Sequence, residues 1–297
     1  MVEFEVRDVD YERYTNRQLV VVPLAVLGVA LLVIGAWWAM TGVPVDFGIE
    51  FTGGAEVQFT ADDSIEEVRA TFSDVDYDSI RPTAGGNTYI LTVQSETGGE
   101  GDLVDSEAID EINAILTEAG YEEEQTNSRS PSFGASSQQQ ALIGLAVAFL
   151  GMSVLVFLMF RTFVPSIAVV ASAFSDIMIP LALMNVLGIQ LTLGTVAALL
   201  MLIGYSVDSD ILLNTHILRR RGGFYESTYK AMRTGITMTL TSISAMATMA
   251  VVAYLFGIPL LPEIGIVLVF GLTADLMNTY MLNVSLLRYY KYEGVAS

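Results

Sequence analysis

Met201-Leu-Ile-Gly-Tyr-Ser-Val-Asp-Ser-Asp-Ile-Leu-Leu213 places two carboxylates, Asp208 and Asp210, in a stretch otherwise apolar enough to lie within a bilayer. A charge at that depth costs at least ~2.5–3.5 kcal/mol on insertion scales, so it persists where something pairs or uses it. Asp176 and Asp275 lie inside two further hydrophobic segments. Two residues apart on a helix, Asp208 and Asp210 project roughly 200° from each other and cannot both face one narrow cleft. Asp208 lies one turn from Gly204 and Tyr205, whereas Asp210 shares its face with Ser206 and Asn214.

Working outward, Leu19–Met40 is an uncharged run of 22 residues, long enough to span, ending at an interfacial Trp37-Trp38 pair. Such a length predicts a retained anchor rather than a cleaved signal. Five more spans are expected at about 141–160, 163–187, 191–213, 235–256 and 261–287, joined by short links that make neighbours antiparallel, with a longer 214–234 loop. The predicted organisation is a tail over 1–18, a first span over 19–41, a polar domain over 42–140, five spans over 141–287 and a tail over 288–297. With six spans, 11 of the 14 basic residues fall on one side, leaving Arg69, Arg81 and Arg129 in the polar domain. That bias predicts a multi-pass protein with both termini cytoplasmic and residues 42–140 outside.

The polar domain holds 21 acids against three bases. Its pattern reads as a strand over 45–60 kinked at Gly53-Gly54, a helix over 63–72, a hairpin around Gly85-Gly86-Asn87, a helix over 105–119 and a last strand over 121–130. That β-α-β-β-α-β order predicts a ferredoxin-like α+β domain. The chain's formal charge of −19, with two lysines, argues against nucleic acid or anionic lipid as main partners and suggests a surface hydrated in high salt. No cysteine is present and His216 is the single histidine, so thiol chemistry is excluded and no metal or other cofactor is expected.

Four acids in membrane segments suit a proton relay, because burial and a neighbouring acid both favour the protonated carboxyl. The alternative is structural hydrogen bonding, and the residues alone leave it open for Asp176, Asp208, Asp210 and Asp275. Two buried acids also suit an intramembrane aspartyl protease, but its G-x-G-D motif is missing.

Phe47-Gly48-Ile49-Glu50-Phe51-Thr52-Gly53-Gly54 resembles the F-G-I-D-F-x-G-G signature of the SecF family of protein-export membrane subunits. Gly204-Tyr205-Ser206-Val207-Asp208-Ser209-Asp210 resembles the same family's G-Y-S motif in its fourth span. The acidic, lysine-poor surface looks like that of a halophilic archaeal member. The resemblance implies no enzyme but a partner, SecD, contributing a similar six-span half. It further implies an RND-like assembly that uses the proton gradient to help the Sec translocon, a SecYE-type channel, draw secreted preproteins across the cell membrane. An RND solute transporter is the alternative. The family's fourth-span acid matches Asp208 best, although bacterial members carry it one residue later, where Ser209 stands here. Its fifth-span arginine, in an R-T-x-x-T setting, is matched by Arg233-Thr234-Gly-Ile-Thr237.

Overall fold

A computed structural model describes residues 11–82, 87–94, 106–219, 223–256, 258 and 260–294. Gly85, Gly86, Asp105, Arg220 and Arg221, on which expectations fell, lie outside those residues. Among the described residues six helices are long and apolar enough to cross a membrane, so the chain is a multi-pass α-helical membrane protein. They are α1 (Asn16–Thr41), α5 (Pro131–Phe160), α6 (Phe163–Leu187), α7 (Leu193–Arg219), α8 (Phe224–Leu255) and a last helix that begins as α9 (Leu261–Met277). That helix widens into a π-helical turn over Asn278–Asn283 and resumes as α10 (Val284–Tyr289). Three short helices, α2 (Ile49–Thr52), α3 (Ile65–Thr71) and α4 (Ser106–Ala119), lie between the first and second spans.

Local chemistry sets the helix ends. Thr15 and Gln18 form a reciprocal capping box at the start of α1, and Gly42, at φ +82°, closes it with a bond to the Trp38 carbonyl. Ser130 caps α5, and Pro131 occupies its first turn, where no intrahelical N–H is needed. Helices α6, α7 and α9 bury much of their surface against one another, whereas α1, α5 and α8 expose most of their apolar side chains. The expected 214–234 loop is not seen. Helix α7 continues to Arg219 and α8 begins at Phe224, so Arg233 lies within a helix. The polar residues of that stretch are good enough helix formers to extend both helices beyond the apolar slab.

Among the described residues, the domain between the first two spans is a four-stranded antiparallel sheet, β1 (Gly54–Thr60), β2 (Ser79–Pro82), β3 (Thr88–Gln94) and β4 (Glu122–Arg129), in the order β2-β3-β1-β4. With α3 and α4 inserted in sequence, this is the β-α-β-β-α-β arrangement read from the pattern. Val57, Phe59 and Leu91 from the sheet bury against Val68 and Phe72 of α3 and Ile112 and Leu116 of α4. Edge strand β4 carries Glu122, Glu123 and Glu124, charges that discourage pairing with another chain.

The reading of 45–60 as one kinked strand is corrected. Residues 49–52 form the helical turn α2, and β1 starts only at Gly54. The reversal needs Gly53 at φ +79° and Gly54 at φ +136°, backbone settings that side chains resist. Ahead of α2, Phe47 makes a parallel bridge to Leu191, just before α7.

Candidate functional site

Three of the predicted acids meet in the centre of the membrane bundle. Asp176 of α6, Asp210 of α7 and Asp275 of α9 are each at most 1% exposed. Asp176 accepts hydrogen bonds from Ser206 Oγ and Asn278 Nδ2, both at 2.6 Å. Asp210 Oδ1 accepts from Thr279 Oγ1 and Asn283 Nδ2, both at 2.8 Å. Asp275 accepts from Ser209 Oγ at 2.8 Å, and its Oδ1 lies 3.2 Å from Thr279 Oγ1. Among the described residues none of the three has a cationic partner. The π-helical turn presents Asn278 to Asp176, and Thr279 and Asn283 to Asp210. Such widened turns interrupt the regular i, i+4 ladder and are common where function needs an altered register.

Thr279 is the link that sequence reading undervalued. Its hydroxyl has one proton and two carboxylate neighbours, Asp210 and Asp275. When it donates to Asp210, only a lone pair faces Asp275, and that contact is attractive if Asp275 brings a proton of its own. The hydroxyl therefore makes a direct path along which one proton can pass between the two acids. Spare capacity surrounds this path. Among the described residues, Ser175 Oγ and the side-chain oxygens of Asn278 and Asn283 are buried without hydrogen-bond partners, and Ser172 lies within reach of both Asp176 and Asp210. Polar groups so deep are normally satisfied, and here the carboxylates and amides are each other's nearest polar company.

Asp208 is not part of the cluster. It lies on the opposite face of α7 from Asp210, as the helical spacing requires, and is exposed in the isolated chain. It lines a cavity of about 570 Å³ with Met152, Val156, Met159, Gly204 and Val207, between α5 and α7. Arg233 is exposed on α8 and makes no hydrogen bond or ion pair with the three buried acids. The hydroxyls of Thr237, Thr241, Ser244 and Thr248 on α8 are each satisfied by the carbonyl four residues earlier.

The Phe47–Gly54 motif binds the α+β domain to the helices carrying the acids. Gly48 N donates to Leu191 O at 2.9 Å, Leu191 N donates to Asp46 O at 2.7 Å, and Glu50 accepts from the Leu193 N–H at the start of α7. Gly48 has no space for a side chain, since a Cβ would lie 2.9 Å from Thr192 Cγ2. On the other side, Gly134 of α5 packs directly on the α2 backbone. Arg81 of β2 adds a second tie, 3.2 Å from Gln190 Oε1 and 3.5 Å from Glu263 at the start of α9. Glu263 is thus an ion-pair partner of Arg81.

Glu56 of β1 lies beside this tie, 4.0 Å from Arg81. Burial raises its carboxyl above the ordinary 4.5, with Arg81 only partly offsetting the effect. The charged form is thus disfavoured on folding, and stability falls as pH rises from 4.5 through the raised value. Glu56→Gln should therefore raise the domain's thermal midpoint at pH 7. The gain should vanish below pH 4.5, where both proteins are neutral at this position; thermal scans across pH check it.

Comparisons with known proteins bear on this geometry. Residues 111–293 match the family "Protein export membrane protein SecD/SecF, C-terminal", and residues 38–65 match the "SecD/SecF GG Motif". The chain is 63% identical to the protein-export membrane protein SecF of Haloferax volcanii, over 99% of both chains. It is 61% identical to that of Haloquadratum walsbyi over the full length of both, and 40% identical to that of Pyrococcus furiosus over 94% of this chain and 93% of the relative. Its fold is similar to the crystal structure of SecDF, a translocon-associated membrane protein from Thermus thermophilus. The TM-score is 0.71 at 17% identity, over 96% of this chain and 39% of that longer one. A SecDF structure in a super-membrane-facing form matches with a TM-score of 0.58 at 18% identity, over 100% of this chain and 40% of that one.

Proposed function

We propose, since this chain belongs to the SecD/SecF family of protein-export membrane proteins, that it is one half of an export machine whose other half is SecD. In this reading the pair uses the proton gradient to help a Sec translocon move preproteins outward. In the same reading the termini lie in the cytoplasm and residues 42–140 outside, a placement supported by the bias of the basic residues. The observation that carries the reading is the cluster of Asp176, Asp210 and Asp275. It sits in the middle of the bundle without a counter-charge, on helices whose outer ends are tied to the domain by Gly48, Glu50 and Arg81.

The energetics are adequate. One charge crossing ~100 mV is worth ~2.3 kcal/mol. Reversing a two-state equilibrium from 1:99 to 99:1 takes about 5.5 kcal/mol, so roughly two or three protons per cycle suffice. Protonation changes which partners Asp210 and Asp275 hold through Thr279, and so changes the packing of α7 against the last helix. Helix α7 carries that change to the motif at its outer end. Asp208 takes a second role. Left facing lipid it would cost at least ~2.5–3.5 kcal/mol, so the SecD half covers this face and Asp208 completes the route for protons between the halves.

Photocrosslinking from Gln125 on exposed β4 to a secreted chain in native membranes, together with copurification, tests the assignment. Crosslinks to the preprotein, with SecD and translocon subunits recovered, are expected. A solute-dependent proton flux with no such partners would instead make the chain half of an RND transporter.

A further inference from the structure

At the membrane face where both termini lie, two cavities meet at Arg17. The larger, about 800 Å³, is apolar and runs beside Leu19, Val22, Ile236, Leu276 and Met281. The smaller, about 580 Å³, is mixed in character and is bordered by Asn16, Tyr225, Arg288 and Tyr292. Arg17 is exposed and has no hydrogen bond or ion pair among the described residues. Arg288 is fixed in place by Asn16 Oδ1 and by the Tyr11 and Tyr14 carbonyls, each at 3.0 Å. Those partners orient its guanidinium without cancelling its charge. Nearby, Lys291 lies over the Phe224 ring at 5.8 Å, and Glu226 is occupied by Lys230 at 2.6 Å. Among the described residues, then, two guanidinium groups without a carboxylate partner border a recess that opens onto hydrocarbon-lined space at the first turns of a membrane-spanning helix.

We infer that this double cavity is a binding site for one anionic phospholipid, with its phosphate between Arg17 and Arg288 and an acyl chain along Leu19–Val22. The gradient of chemistry selects the ligand. A second protein helix would bury Arg17 against apolar surface, whereas a phosphate satisfies both guanidinium groups through charge-assisted bonds and leaves the chain in hydrocarbon. Basic recesses between membrane helices on this side are suited to anionic headgroups. A lipid here would also buttress the Tyr11 hydroxyl, which reaches the Tyr280 carbonyl at 3.0 Å within the π-helical turn.

The test reconstitutes the full chain with photoactivatable phosphatidylglycerol or phosphatidylcholine and maps the labelled peptides by mass spectrometry. The phosphatidylglycerol probe is expected to label residues 11–22, and Arg17→Gln to reduce that labelling about fivefold, the equivalent of ~1 kcal/mol for one basic residue at a membrane surface. Excess inorganic phosphate should not compete, and labelling should persist when SecD is added and when residues 2–10 are deleted. Equal labelling by both headgroups, or indifference to Arg17→Gln, overturns the site. Loss of labelling with SecD would assign the groove to the partner. Labelling that appears only after the deletion would assign it to the chain's own amino-terminal segment. Competition by phosphate would reduce it to a simple anion site.

Discussion

Asp210→Asn is expected to lower gradient-stimulated preprotein translocation to the level of vesicles lacking the chain, while its assembly with SecD is unchanged. The substitution keeps the shape and the bonds to Asn283 and Thr279 within reach, so the bundle should still pack. What it removes is the ability to take up and release a proton in the cluster. Thr279→Val should behave almost as severely, because it cuts the hydroxyl path between Asp210 and Asp275, whereas Thr279→Ser should retain most of the activity. Val keeps the volume of Thr but not its hydroxyl, and Ser keeps the hydroxyl, so this order assigns the effect to the hydroxyl rather than to the methyl. Translocation measured with and without an imposed gradient separates loss of coupling from loss of structure. A structural cluster would give an Asp210→Asn protein whose gradient stimulation is intact.

Gly134→Val should disconnect the outer domain from the membrane helices. A Cβ at this position would meet Gly53 N at 2.7 Å and the Phe51 carbonyl carbon and oxygen at 2.9 Å. All three are backbone atoms, with no flexible side chain to give way. Overpacking of this kind costs about 1–3 kcal/mol, relieved most simply by lifting α2 away from α5. The expected result is a chain that inserts and binds SecD, with strongly reduced export and faster proteolysis within 42–60. Val at Gly144, which has open space on the same helix, is the control and should be silent. Equal behaviour of the two variants would show that the Gly53–Gly134 contact carries no coupling.

Much of this arrangement is written in the spacing of polar residues. Ser172 and Asp176; Ser206, Asp210 and Asn214; and Asp275, Thr279 and Asn283 each recur at four-residue intervals within apolar helices. Every set marks one wetted stripe on an otherwise hydrophobic span. The stripes say that three helices have polar faces, but not that these faces converge, because that depends on tertiary packing. The π-helical turn is equally hidden, since nothing in Asn278–Asn283 marks a wider turn, and it is what brings Asn278 to Asp176. Asp208 drew attention as a family-like acid, yet one chain alone leaves it on an open face, and its role depends on a partner absent from the sequence. In the outer domain, helix periodicity and turn residues set the order of elements. Residues 45–60 misled because Ile49 and Phe51 favour strands locally, while Gly53 and Gly54 permit the reversal that makes 49–52 helical.

The chain contains no cysteine, so two introduced ones can be labelled without background. Gln125 on β4 and Phe163 at the far end of α6 are both exposed and suit such a pair. Fluorescence energy transfer between them, in vesicles holding the chain with SecD, reports the domain's position directly. Imposing a proton gradient should shift the distance distribution in the unaltered protein and leave it fixed in Asp210→Asn. The same shift in both proteins, or none in either, would contradict the claim that the buried carboxylates drive the domain.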